Sequence, residues 1–192
     1  ANYKTGYFSK LVGKNGDEKI GAAGEPLATD NLVLDDDKDF VAYEPFAAKA
    51  ASYSRTVEGT TWATLCLPFE VSLQNQNFRA FKLLSADEGT ETVELEEIEG
   101  SIAAGTPVII KMKDGATKLS ISEADKEIAN EVKTAETADA NYKLQGLYTQ
   151  KMFSKDTDNN CYIVKGDKLM NPAKLLDKTT TEHVGSKPFR AY

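Results

Sequence analysis

The chain has 192 residues, 41% of them hydrophobic and 28% charged, with a formal net charge of −7. This is the composition of a folded globular chain and not of a disordered one. The acid excess repels phosphate backbones and anionic lipid, which argues against nucleic acid and membrane surfaces as partners, and no apolar run approaches the ~20 residues of a membrane span.

The N-terminus, Ala1-Asn2-Tyr3-Lys4-Thr5-Gly6, lacks the basic-then-apolar pattern of a signal peptide. Residues 1–30 hold few strand formers beyond Tyr7-Phe8 and Leu11-Val12, and Gly13, Gly16, Gly21 and Gly24 interrupt them. A loose N-terminal segment or hairpin is expected there, ahead of a single β domain over 31–192. Ala51, Tyr53, Arg55 and Val57 alternate with Ser52, Ser54 and Thr56, the pattern of a strand with one polar face. Glu58-Gly59-Thr60 turns this strand into Trp62-Ala63-Thr64-Leu65-Cys66-Leu67-Pro68-Phe69, apolar on both faces up to Pro68. That segment predicts a central buried strand ended by the proline, which cannot donate to a ladder.

Phe81 and Leu83 alternate with Ala80 and Lys82, and Val93 and Leu95 with Glu94 and Glu96. Asp87-Glu88-Gly89 joins the two runs as a hairpin, and the phase slip before Ile98 predicts a β-bulge near Glu97. Val108, Ile110 and Met112 face one way, Lys111 and Lys113 the other, before an Asp114-Gly115 turn. A short strand follows at Leu119 and Ile121. Residues 123–138 carry Ala124, Ile128, Val132 and Ala135 at helical spacing, with Ser122 and Asp125 as a capping pair; one short helix or an acidic, Ala-rich loop is expected. Strands are read at Tyr142 to Tyr148, at Asn160 to Lys165 with a Gly166-Asp167 turn toward Lys168-Leu169-Met170, and at the terminal Pro188-Phe189-Arg190-Ala191-Tyr192. About ten short strands with regular turns define an all-β chain, an antiparallel β-sandwich or an open barrel.

The residues that could carry chemistry are few. His183 is the only histidine, and no G-x-S-x-G elbow accompanies it. Cys66 falls in an apolar strand, where a buried inert thiol is the ordinary state, and no C-x-x-C exists to pair with a metal; Cys66 and Cys161 are either free or one disulfide. Glu91, Glu94, Glu96, Glu97 and Glu99 form the densest carboxylate run, read as the wet face of a strand and not as a glycosidase pair. Asp156-Thr157-Asp158-Asn159-Asn160 copies the opening of a calcium loop but has Cys161 where the glycine belongs and Asp167 where the bidentate glutamate belongs. Asp35-Asp36-Asp37-Lys38-Asp39 is a similar acidic turn, and both are expected as polar loops. Trp62, the only tryptophan, is either core or rim packing or a sugar-stacking platform. No phosphate-binding glycine motif occurs, so no cofactor is expected.

Trp62-Ala63-Thr64-Leu65-Cys66-Leu67-Pro68-Phe69 resembles the W-x-T-L-C-L-P-F signature of secreted and surface proteins of Bacteroides and Prevotella relatives. Four further segments fit the same pattern in order. They are Asn31-Leu32-Val33-Leu34-Asp35 with Phe40 and Pro45-Phe46, then Ala51-Ser52-Tyr53-Ser54-Arg55-Thr56, then Ala104-Gly105-Thr106-Pro107-Val108-Ile109-Ile110-Lys111, and the C-terminal Pro188 to Tyr192. The resemblance implies an exported, uncharacterised β module of adhesin-like proteins, without an assigned catalytic residue. The expectation is a monomeric, non-catalytic domain, secreted or displayed at the cell surface, that binds a host or polysaccharide ligand. The alternatives are a structural spacer or anchor and, third, a glycan-active enzyme. The sequence singles out no ligand-contacting residue.

Overall fold

A computed structural model describes residues 11–13, 27–178 and 183–192; most of the loose segment expected over 1–30 lies outside them. Along the chain run β1 (Leu11–Gly13), β2 (Leu27–Thr29), β3 (Leu32–Asp35), β4 (Phe46–Thr56), β5 (Trp62–Leu65), β6 (Val71–Ser72), β7 (Phe78–Asp87), β8 (Thr92–Ile98), β9 (Ser101–Ile102) and β10 (Val108–Met112). Then come β11 (Lys118–Ile128), β12 (Thr134–Glu136), β13 (Lys143–Leu147), β14 (Lys151–Met152), β15 (Ile163–Lys165), β16 (Lys168–Met170), the helix α1 (Pro172–Lys178), β17 (Gly185–Ser186) and β18 (Arg190–Ala191). The chain is all-β, as its alternation predicts, and no sheet closes into a barrel among the described residues. No helix there is long and apolar enough to cross a membrane.

The first sheet is built on the long antiparallel pair β4–β11. β2 and β3 both lie parallel to β4 and continue one register along it, Ala28 opposite Ala47 and Leu32 opposite Ala51. The second sheet has the order β5-β10-β7-β8. Leu32, Leu34, Tyr53, Leu119 and Ile121 of the first sheet share one buried cluster with Leu65, Phe78, Ala80, Val108 and Ile110 of the second. The two sheets therefore stack face to face as an open sandwich, with apolar side chains filling the space between them. Rings from loops plug its ends: Tyr148 meets Phe40 at 5.6 Å and Phe189 meets Tyr53 at 5.4 Å, both edge to face.

A third layer accounts for the doubly apolar strands. Phe81 and Ile109 on the outer face of the second sheet pack with Leu144 of β13 and Ala191 of β18, flanked by Trp62, Leu95 and Ala135. The small sheet β12-β13-β18 thus covers β5, β10 and β7 from outside.

Four expectations are corrected. Residues 123–138 form no helix: β11 extends to Ile128, and β12 follows. Ile128 and Val132 belong to the main core and Ala135 to the second cluster, so their spacing of three to four is that of an extended chain crossing between layers. Ser122 pairs with Ser52, and Asp125 has φ 53° and no ladder partner, so neither acts as a cap. At that point the buried set of β4 changes parity between Ala48 and Ala51, and that of β11 between Ile121 and Ile128. A long ladder on β4 satisfies more backbone than a lone two-turn helix would.

Next, β5 is buried but not central. Its ladder partner is β10, and its other edge is closed by the C-terminus, where the Cys66 N–H donates to the Phe189 carbonyl (3.1 Å) and the Ala191 N–H to Thr64 Oγ1 (3.0 Å). The bulge lies in β7 at Leu84, between the Leu83–Leu95 and Ser85–Glu94 pairs, and not near Glu97. Leu95 and Ile98 needed no slip, because they serve the second cluster and the main core on opposite faces of the sheet. Lastly, the helix is α1, beyond the region expected. Asn171 Oδ1 accepts from the N–H of Ala173 (2.9 Å) and Lys174 (3.2 Å), and Pro172 fills the first helical position.

Candidate functional site

Three loops converge on a surface groove of about 450 Å³. The first is the tip of the β7–β8 hairpin. Asp87 Oδ1 accepts from Gly89 N–H (2.8 Å) and Thr90 N–H (3.1 Å), which fixes the turn and sets Ala86, Asp87 and Glu88 along one wall. The second is the turn into β13, which contributes Asn141 and Tyr142. Its anchor is buried Thr137, which exchanges backbone and side-chain hydrogen bonds with Tyr142 at 2.9–3.2 Å and donates to Asp139 at 2.6 Å. The third is the approach to β15, which contributes Asn160 and Tyr162. Here Ser154 N–H donates to Asp158 (2.7 Å) and Asn171 Nδ2 to the Asn159 carbonyl (2.7 Å), so the cap of α1 also steadies the groove.

The two tyrosines are half-buried and meet at one carboxylate. Tyr162 donates to Glu88 Oε1 at 2.8 Å, and that hydrogen bond raises the phenol above its ordinary pKa. The Tyr142 hydroxyl is raised as well, by burial first and then by the Glu88 charge. Both phenols therefore stay protonated donors at neutral pH. Asp87 and Glu88 give the groove a negative wall, and among the described residues no lysine, arginine or histidine lines it. Such a site offers aromatic faces, amide and hydroxyl hydrogen bonds and negative charge.

The residues flagged by sequence lie elsewhere, apart from Asn160. His183 is exposed. Cys66 is fully buried, its thiol pushed up to about 12 by burial and directed at the Gly105 carbonyl 3.4 Å away. Cys161 is half-buried, and both thiols are free. Glu97 makes a two-point pair with Arg79 (2.8 Å each) and Glu96 pairs with Lys82 (3.3 Å), exposed cross-strand contacts on opposite faces of the hairpin. In the acidic turns Asp36 meets Arg190, Asp37 meets Lys187 (2.8 Å) and Asp158 meets Lys151 (3.5 Å). Among the described residues no three His, Cys, Asp or Glu side chains are placed to hold a metal ion. Trp62 packs against Phe81 at 5.4 Å under the Lys111 ammonium, a rim position.

The five segments that carry the resemblance meet around one joint. Arg190 grips Asp36 with both guanidinium nitrogens (2.6 and 3.1 Å), and Tyr53 donates to the same carboxylate. Burial would raise Asp36, but the hydrogen bonds from Arg190 and Tyr53 outweigh it and hold the carboxyl below its ordinary value. Arg55 donates to the Thr64 carbonyl (2.7 Å), and Gly105 N–H to the Leu67 carbonyl (2.8 Å). Gly105 has φ 73°, and a Cβ there would lie 2.9 Å from the Glu131 carbonyl oxygen. These segments fasten β4, β5, the turn before β10 and the C-terminus together; they are scaffold.

The groove was missed because its parts lie far apart in sequence and two of them read as strand residues. The available signal was a tyrosine beside asparagine in a polar turn, Asn141-Tyr142 and Asn160-Cys161-Tyr162. No protein family matches this chain, and no curated protein or solved structure is similar to it.

Proposed function

We propose that the chain is a non-catalytic binding module of a secreted or surface-displayed bacterial protein, and that it takes a glycan in the groove between Tyr142 and Tyr162. The observation that carries this reading is the convergence of two tyrosines from separate loops on the Glu88 carboxylate, with Asn141 and Asn160 beside them. Sugars present apolar C–H faces that stack on aromatic rings and hydroxyls that exchange hydrogen bonds with amides and carboxylates. The non-catalytic half of the reading is supported by the pKa shifts: the Cys66 thiol and both groove phenols move away from neutrality, not toward it.

The test is a glycan array probed with the native chain and with Tyr142→Ala and Tyr162→Ala, followed by product analysis on any glycan bound. Binding lost in both variants, without cleavage, supports the reading. Silence toward every glycan favours the spacer or anchor alternative, and released sugar favours an enzyme.

A further inference from the structure

The groove carries a charge that its surroundings do not neutralise. Along the same hairpin Glu96 and Glu97 are matched by Lys82 and Arg79, whereas Asp87 and Glu88 form no ion pair with any of the described residues. Asp87 Oδ1 is committed to the turn, and its second oxygen accepts no hydrogen bond from the described residues. Glu88 accepts the Tyr162 hydrogen bond on one oxygen. A carboxylate accepts about four hydrogen bonds, so both retain open positions.

Consider three classes of sugar entering this site. A uronate, sulfated or sialylated glycan brings like charge to the wall and is repelled. A neutral sugar partly desolvates two carboxylates and offers only hydroxyls in return. A sugar bearing a free amine brings a cation that both carboxylates attract, and the tyrosine faces attract it as well.

We propose, resting on the glycan-binding reading above, that the groove selects glycans carrying an unacetylated amino sugar, with the ammonium held by Asp87 and Glu88. The amine is the specificity determinant, and Tyr142 and Tyr162 supply stacking common to all sugars.

The experiment is calorimetric titration of the full chain with β-1,4-linked glucosamine and N-acetylglucosamine oligomers and an α-1,4-linked galacturonate oligomer of equal length, at low and moderate salt. The glucosamine oligomer is expected to bind on the order of tenfold tighter than its N-acetylated counterpart, what one exposed cation–π contact and one screened carboxylate contact supply together. The galacturonate oligomer is expected not to bind, and only the glucosamine affinity should fall as salt rises. Asp87→Asn, which keeps the acceptor that holds the turn, and Glu88→Gln should each erase most of the preference while thermal unfolding stays unchanged. If the N-acetylated oligomer binds as tightly and Tyr142→Ala still removes it, the amine preference is overturned and the glycan groove stands. If no oligomer of any charge binds, the amine preference is overturned, and silence of the glycan array as well overturns the groove reading with it.

Discussion

Gly146 sits in β13 against the Cys66 side chain, and the pair offers a quantitative check on the packing between layers. A Cβ on residue 146 would lie 2.5 Å from Cys66 Sγ, 3.3 Å from Val132 Cβ and 3.4 Å from the Lys133 carbonyl oxygen. Cys66 is fully buried, so its sulfur can shift only within the packed interior. Gly146→Ala therefore overpacks a closed interior, at a cost of about 1–3 kcal/mol. Against this, alanine relieves roughly 0.5–1 kcal/mol of glycine's entropy loss in a strand, so a net loss centred on about 1 kcal/mol is expected. Cys66→Ala removes the obstructing sulfur and should cost about 1 kcal/mol for one buried methylene-sized group. In the double variant the new methyl occupies the space the sulfur leaves. The two changes should then be strongly non-additive, with a favourable coupling of about 1–2 kcal/mol. Urea unfolding of the four proteins, with midpoints compared at constant m-value, measures this. Additivity to within about 0.3 kcal/mol, or a Gly146→Ala protein as stable as the native one, would refute the close approach.

Three other outcomes follow from the same geometry. Asp36→Asn strands the half-buried Arg190 and should cost about 3 kcal/mol at neutral pH; because the folded Asp36 pKa is depressed below 3.8, the native advantage is present above that value and lost as pH falls through the folded pKa, so the two stability curves should converge in acid, and parallel curves would contradict the assignment. Leu65→Ala should cost about 2–5 kcal/mol, since Leu65 is 1% exposed in the main core, and an unchanged unfolding midpoint would contradict its place there. In the native protein a thiol reagent should modify Cys161 slowly and Cys66 only on unfolding; rapid reaction of two thiols would contradict the burial of Cys66.

Strict period-two segments were legible because each pairs with a neighbour that shares its face. Val108, Ile110 and Met112 point into the main core as their alternation requires, and the β7–β8 hairpin turns at Asp87. Where the chain passes between layers, periodicity misleads. Ile128, Val132 and Ala135 imitate a helical stripe although they serve two different clusters. The apolar run at β5 reports burial on both faces and says nothing of position in the ladder, since a covering C-terminal segment buries an end strand as fully as a neighbouring strand does. The helix after Met170 carried a local signal, Asn171 followed by Pro172, that is as informative as any strand pattern. The groove had no comparable signal: Glu88, Tyr142 and Tyr162 are brought together only by the packing of the small sheet and the β15–β16 hairpin around the outer face. The resemblance segments, by contrast, were the most recognisable part of the sequence because they hold the scaffold together.

The central claim, that this groove is where the chain binds, is tested most directly by NMR titration of the labelled protein with a glycan that it retains on an array. Amide shifts are expected to concentrate on Glu88, Asn141, Tyr142, Asn160 and Tyr162 and to leave the β4–β11 sheet unmoved. Shifts centred on another surface, with these five unchanged at saturation, would contradict it.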